Sequence, residues 1–257
     1  VRIIAIILFL ASNAIFANFC KLDSIPSISI DENGNKVFVY LEKEKPVFYQ
    51  NILFKDSWLG YLRSVVESKI STDQSYLLRR QKAIFNRNMT DIEDLNKLFD
   101  DMADRNIGKI APINCLEALL YEIHLNEQGV FGETEFCAAL YKMQILGEPY
   151  IKIILSSGPR ASGPDMTAEL QKENRPVWAF IHNHFFALNN PTGDLAGTLL
   201  PSGLAPPGGF LNPVSDLKFY RKIAQRHGLQ QAWITNGFDT SHFDILDKNG
   251  DGNYWIY

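Results

Sequence analysis

The stretch from Pro176 to Asp216 constrains this chain more than any other. Pro176-Val177-Trp178-Ala179-Phe180-Ile181 is a short apolar run rich in β-formers, and it reads as a buried strand. The strand ends in His182-Asn183-His184. In an extended chain residues i and i+2 point to the same side, so both imidazoles can face one point. Two neutral imidazoles at a strand end are the start of a divalent-metal site, and zinc is the commonest occupant. The plainer reading is a strand that ends in two ordinary polar residues. A Pro/Gly/Asn-rich loop follows, and helical periodicity returns at Asp216, a candidate third ligand.

The 257 residues suffice for one sizeable domain and a smaller one. A formal net charge of -4 offers no electrostatic argument for nucleic-acid binding, so no nucleic-acid partner is expected. The N-terminus has a basic Arg2, an apolar core from Ile3 to Leu10, and small residues at Ala11, Ser12, Ala14 and Ala17. That pattern predicts a secretory signal peptide over 1–17, with cleavage after Ala14 or Ala17. The mature chain is then expected to be exported, periplasmic or secreted, with no stable membrane span. Three cysteines, Cys20, Cys115 and Cys137, allow at most one internal pair in an oxidising compartment. Cys115 and Cys137 fall in apolar patterns and read as small buried side chains.

Along the chain, Ile28-Ser29-Ile30 and Val37 to Leu41 flank an Asn33-Gly34 turn and predict a hairpin. Apolar residues at three-to-four spacing predict helices between Asp56 and Arg105, with Thr90 and Glu93 as a capping box. These two parts form an expected accessory domain over 18–106. Beyond it come a helix capped by Asn114, strands over 135–141 and 150–155, a short helix over 166–172 and the His182/His184 strand. A helix over 216–226, a strand over 231–235, a turn at Asn236-Gly237 and a terminal hairpin complete the chain. The expected fold class is α+β, a mixed sheet flanked by helices, with the second domain over 107–257.

This order of elements resembles a JAMM (MPN+) metalloprotease domain, closest to the RadC-like and bacterial toxin-associated branches. The likeness runs from Ile107 to Tyr257. It rests on Glu135-Phe136-Cys137-Ala138-Ala139-Leu140, on His182-Asn183-His184 and on an Asp at a helix start. It implies zinc held by His182, His184 and Asp216, with Glu135 as general base and a peptide-containing substrate. Glu133 competes for the role of Glu135, and Asp194 for that of Asp216. The family's Ser-x-x-Asp serine falls on Pro213, which cannot donate a hydrogen bond. Ser215 is the substitute for the oxyanion role, with Thr192 and Ser202 as further choices. The implied activity is hydrolysis of an amide in a peptide, an isopeptide or a peptidoglycan crosslink. The alternative is a non-catalytic descendant of the fold that binds a partner in the cell envelope. A nucleic-acid enzyme is a weaker third reading. His124 and His227 read as structural and His242 as a possible extra ligand, while Asp247 to Gly252 reads as a hairpin turn.

Overall fold

The computed structural model describes residues 20–52, 58–88, 93–104, 106–129, 133–186, 197–201, 216–247, 250 and 255–256. The expected signal peptide, Thr90, Thr192, Asp194, Ser202, Pro213, Ser215 and most of Asp247 to Gly252 lie outside the described residues. No helix among the described residues is long and apolar enough to cross a membrane.

Strands β1 (Ser27–Ile30) and β2 (Lys36–Lys43) form the expected hairpin. Asp31 Oδ1 accepts from the N–H groups of Asn33 and Asn35, both at 2.8 Å, and Gly34 takes the positive φ of 82° that the turn requires. A 3-10 turn over Pro46–Tyr49 leads to helices α1 (Trp58–Glu67), α2 (Gln74–Asn88) and α3 (Glu93–Ala103). The two-residue strand β3 (Ala111–Pro112) precedes α4 (Cys115–Gln128). Asn114 and Glu117 close a reciprocal capping box on α4, a device worth about 1 kcal/mol.

The second half contains β4 (Phe136–Ile145), β5 (Glu148–Ser157), α5 (Thr167–Gln171) and β6 (Ala179–Asn183). After these come α6 (Asp216–His227), β7 (Gln231–Thr235), β8 (Asp239–Leu246) and β9 (Trp255–Ile256). The strands form one nine-stranded sheet in the order β1-β2-β5-β4-β6-β7-β8-β3, with β9 paired to β8. The fold is thus mixed α+β, as the alternation of patterns predicts. Two large apolar clusters cover the sheet. One centres on Leu116, Leu120, Phe136 and Trp233; the other joins Cys137, Phe180, Leu217 and Tyr220.

The structure corrects two expectations. The hairpin is not part of a separate N-terminal unit, because β2 pairs antiparallel with β5 along eight residues, from Lys36↔Ser157 to Lys43↔Tyr150. Leu62, Val66 and Leu77 of α1 and α2 share the cluster of Phe136 and Trp233, so residue 106 is no core boundary. Cys115 is not a free buried thiol. It forms a disulfide with Cys20, and Cys137 is the cysteine that remains free and buried.

One pairing fixes the site. β6 and β7 are parallel, and a parallel pair needs a crossover, here carrying α6. The crossover leaves the C-terminal end of β6 and returns to the start of β7, so the N-terminus of α6 lies near the His182 end of β6. Ligands gather at such strand ends in open α/β sheets.

Candidate metal centre

Strand alternation and register bring the charged residues to one face. β4 runs antiparallel to β6 with Cys137 opposite His182. Two residues back along that register, Glu135 falls opposite His184. Cross-strand partners share a face, so His182, His184, Cys137 and Glu135 all point toward α6. Asp216 opens that helix, and its carboxylate completes a cluster with the two imidazoles.

The cluster is a nearly equilateral triangle. His182 Nε2 and His184 Nε2 are 3.1 Å apart, and Asp216 Oδ2 lies 3.4 and 3.5 Å from them. A tetrahedral zinc with bonds of about 2.05 Å separates its ligand atoms by about 3.3 Å. The three donor atoms therefore fit a single ion. His182 and His184 are buried, whereas the Asp216 side chain keeps 21% of its surface.

Outer contacts set both imidazoles for metal binding. His184 Nδ1 lies 2.6 Å from the Thr198 carbonyl, which can only accept, so Nδ1 carries a proton. In the neutral ring Nε2 is then a bare lone pair. His182 Nδ1 lies 2.9 Å from the Tyr220 hydroxyl, which accepts when the ring proton is on Nδ1. Tyr220 is one helical turn beyond Asp216 and faces the same way. Metal-binding histidines are commonly oriented by such second contacts.

The charges of the cluster compete with metal binding, because an ion would have to displace the proton that His184 holds. Burial opposes the charge of Asp216, but the charges and hydrogen bonds of His182 and His184 hold its carboxyl well below the ordinary range. Burial also opposes charge on His184, yet Asp216, then Glu135 and the Thr198 carbonyl, raise it to about 9. Glu135 moves the other way. Burial raises its pKa and the charge of Asp216 adds to the effect, against His184, His182 and the backbone N–H of Gly163. A carboxyl with a raised pKa beside a cationic site is suited to proton transfer.

Asn183, between the two histidines, points to the opposite face and is buried. Its Nδ2 donates to the Thr134 carbonyl at 3.1 Å, and its Oδ1 accepts from Phe136 N–H at 2.6 Å. One carboxamide thus grips the peptides on both sides of Glu135. Gly163 closes over the base. A Cβ there would lie 2.7 Å from Cys137 Sγ and 3.8 Å from Glu135 Oε2, so the backbone packs close to the carboxylate.

The remaining candidates separate cleanly. Glu133 has Oε1 buried without a hydrogen-bond partner and is not among the groups whose charge acts on Glu135. Ser215 and Asp194 lie outside the described residues. His242 is not in the cluster: its Nε2 lies 3.2 Å from Glu117 Oε1, and its ring stacks on Trp233 with centroids 4.2 Å apart. His124 is fully buried between Ser157 Oγ at 2.8 Å and the Thr134 carbonyl at 3.2 Å, and burial lowers its pKa to about 4. His227 ends α6, about 16 Å along the helix from Asp216. The sequence reading missed Tyr220, Thr198 and the grip of Asn183. The i, i+4 spacing from Asp216 was a signal for Tyr220; no local pattern marks Thr198. Searches against protein-family models, curated proteins and solved structures find no match to this chain.

Proposed function

We propose that the chain is an exported, zinc-dependent hydrolase of the JAMM type that cleaves an amide in a peptide, an isopeptide or a peptidoglycan crosslink. The observation that carries this reading is the triangle of His182 Nε2, His184 Nε2 and Asp216 Oδ2, sized for tetrahedral zinc, with Glu135 on the same sheet face. These three residues would hold the ion. When bound, zinc supplies Lewis acidity, acidifying water toward a pKa of about 7 and polarising a carbonyl. Glu135 takes the proton of the attacking water and returns it to the leaving amine, and its raised pKa matches both steps. Asn183 fixes the peptides on both sides of Glu135 and so holds that residue in place. Ser215 remains the proposed donor to the developing oxyanion. The Cys20–Cys115 disulfide supports an oxidising compartment, where such bonds persist.

Pro213, standing where the resemblance requires a serine, favours a second reading, a non-catalytic module that binds a partner in the cell envelope. Glu135→Gln separates the two. Wild type and variant are loaded with zinc and offered a model peptide, an isopeptide-linked pair and purified peptidoglycan. The enzyme reading expects equal zinc in both proteins and a loss of about 10²–10⁴-fold in cleavage by the variant. A zinc-loaded wild type that cleaves none of the three leaves the binding module as the better account.

A further inference from the structure

We infer that Gln74 is a positioning residue for the metal centre, so the N-terminal helices complete the site. The inference rests on reading His182, His184 and Asp216 as a metal site. The Thr198 carbonyl accepts from His184 Nδ1–H, which fixes the tautomer and the orientation in which Nε2 can face an ion. Thr198 belongs to the segment 197–200, which has no regular structure although all four residues are buried. A buried irregular segment must find partners for its backbone groups outside itself.

Side chains from three elements supply them. Gln74 Nε2 donates to the Gly197 carbonyl at 3.0 Å, and Leu199 N–H donates to Gln74 Oε1 at 3.1 Å. One carboxamide therefore fixes the peptides on both sides of Thr198, as that of Asn183 does around Glu135. Asn236 Nδ2 adds a second donor to the Gly197 carbonyl at 2.9 Å, and Ser241 Oγ donates to the Leu199 carbonyl at 3.0 Å. Leu199 N–H has Gln74 as its acceptor, so loss of that amide frees the residue next to Thr198.

Gln74 is itself well anchored. It is 7% exposed and opens α2, where Asp73 Oδ1 accepts from Tyr76 N–H at 2.6 Å. Leu77 and Leu78 bury the same turn in the core. Its side chain reaches across 123 residues of chain to the far wall of the site.

The test uses the full chain with zinc and cobalt(II) as probes. Wild type, Gln74→Met, Gln74→Glu and Gln81→Met are compared for zinc affinity by chelator competition and for the cobalt absorption spectrum. Met keeps the length of Gln and removes both hydrogen bonds. Glu keeps the acceptor for Leu199 N–H. Gln81 is the control: it lies on the same helix, is equally buried, and its Nε2 has no partner. The inference expects zinc to bind Gln74→Met about tenfold or more weakly, with a shifted cobalt spectrum. Gln74→Glu should fall between, and Gln81→Met should match wild type. Wild-type affinity and spectrum in Gln74→Met would overturn the inference, as would an equal loss in Gln81→Met. A wild type that takes up neither metal would overturn the metal reading itself, a distinct outcome.

Discussion

Asn183→Ala tests whether the metal-bearing strand also holds the base. The side chain is 1% exposed and makes two hydrogen bonds, to the Thr134 carbonyl and from Phe136 N–H. Alanine removes both, with unequal consequences. Phe136 N–H is left buried without a partner, which costs about 1–3 kcal/mol. The Thr134 carbonyl keeps His124 Nε2 at 3.2 Å, so its loss is that of one ordinary hydrogen bond, about 1 kcal/mol. Together the substitution should cost about 3 kcal/mol, or a Tm fall of about 6–12 °C for a chain of this size. Guanidinium unfolding of the full chain, followed by tryptophan fluorescence, measures the first figure. His182 and His184 lie on the other face, so zinc content should stay near that of wild type. Cleavage should fall, because Glu135 loses the clamp on its flanking peptides. A stability loss below about 1 kcal/mol, or a loss of zinc at unchanged stability, would refute the reasoning.

Three further outcomes follow from other parts of the fold. The disulfide Cys20–Cys115 spans 95 residues, and loop-closure entropy puts its contribution at about 4–5 kcal/mol; reduction or Cys20→Ala should lower the denaturant midpoint accordingly, and an unchanged midpoint would count against the pairing. His124 has its pKa lowered by burial to about 4, against the Thr134 hydrogen bond that raises it. Above pH 6.5 the neutral ring is present in both states. As pH falls from 6.5 to 4 the unfolded chain takes up a proton that the folded one refuses, so about 3 kcal/mol of stability is lost across that window. His124→Gln should flatten the pH dependence of unfolding there, and an unflattened profile would show that other groups govern it. Gly197 has φ 70°, and a Cβ would lie 2.2 Å from the Phe186 ring. Gly197→Ala should cost at least about 1–2 kcal/mol for the left-handed backbone alone and weaken zinc binding through Thr198; wild-type values for both would contradict the geometry.

Much of the site could be read from local pattern. The alternation that places His182 and His184 on one side is a property of any strand, and a helix start was legible at Asp216 from the periodicity that follows it. The strand after Glu135 and the Asn-Gly hairpin were legible for the same reason. What the sequence hid was non-local. Nothing in Ser27 to Lys43 says that β2 will pair with β5, more than a hundred residues on, so the hairpin read as part of a separate unit. Cys115 sits in an apolar helix pattern, and only the path of the chain brings Cys20 beside it. Thr198 acts through its backbone carbonyl, which carries no residue signature, and Gln74 acts on backbone groups more than a hundred residues away. Tyr220 was the exception, visible one turn from Asp216 on the same helix face.

The central claim is that His182, His184 and Asp216 hold one zinc. Elemental analysis of the full chain, purified without chelator, tests it most directly alongside His182→Ala/His184→Ala. The account predicts about one zinc per chain in the wild type, at a tetrahedral centre with three protein ligands, and none in the double variant. A wild type that carries no metal and takes up none when zinc is added, or a double variant that keeps it, would contradict the account.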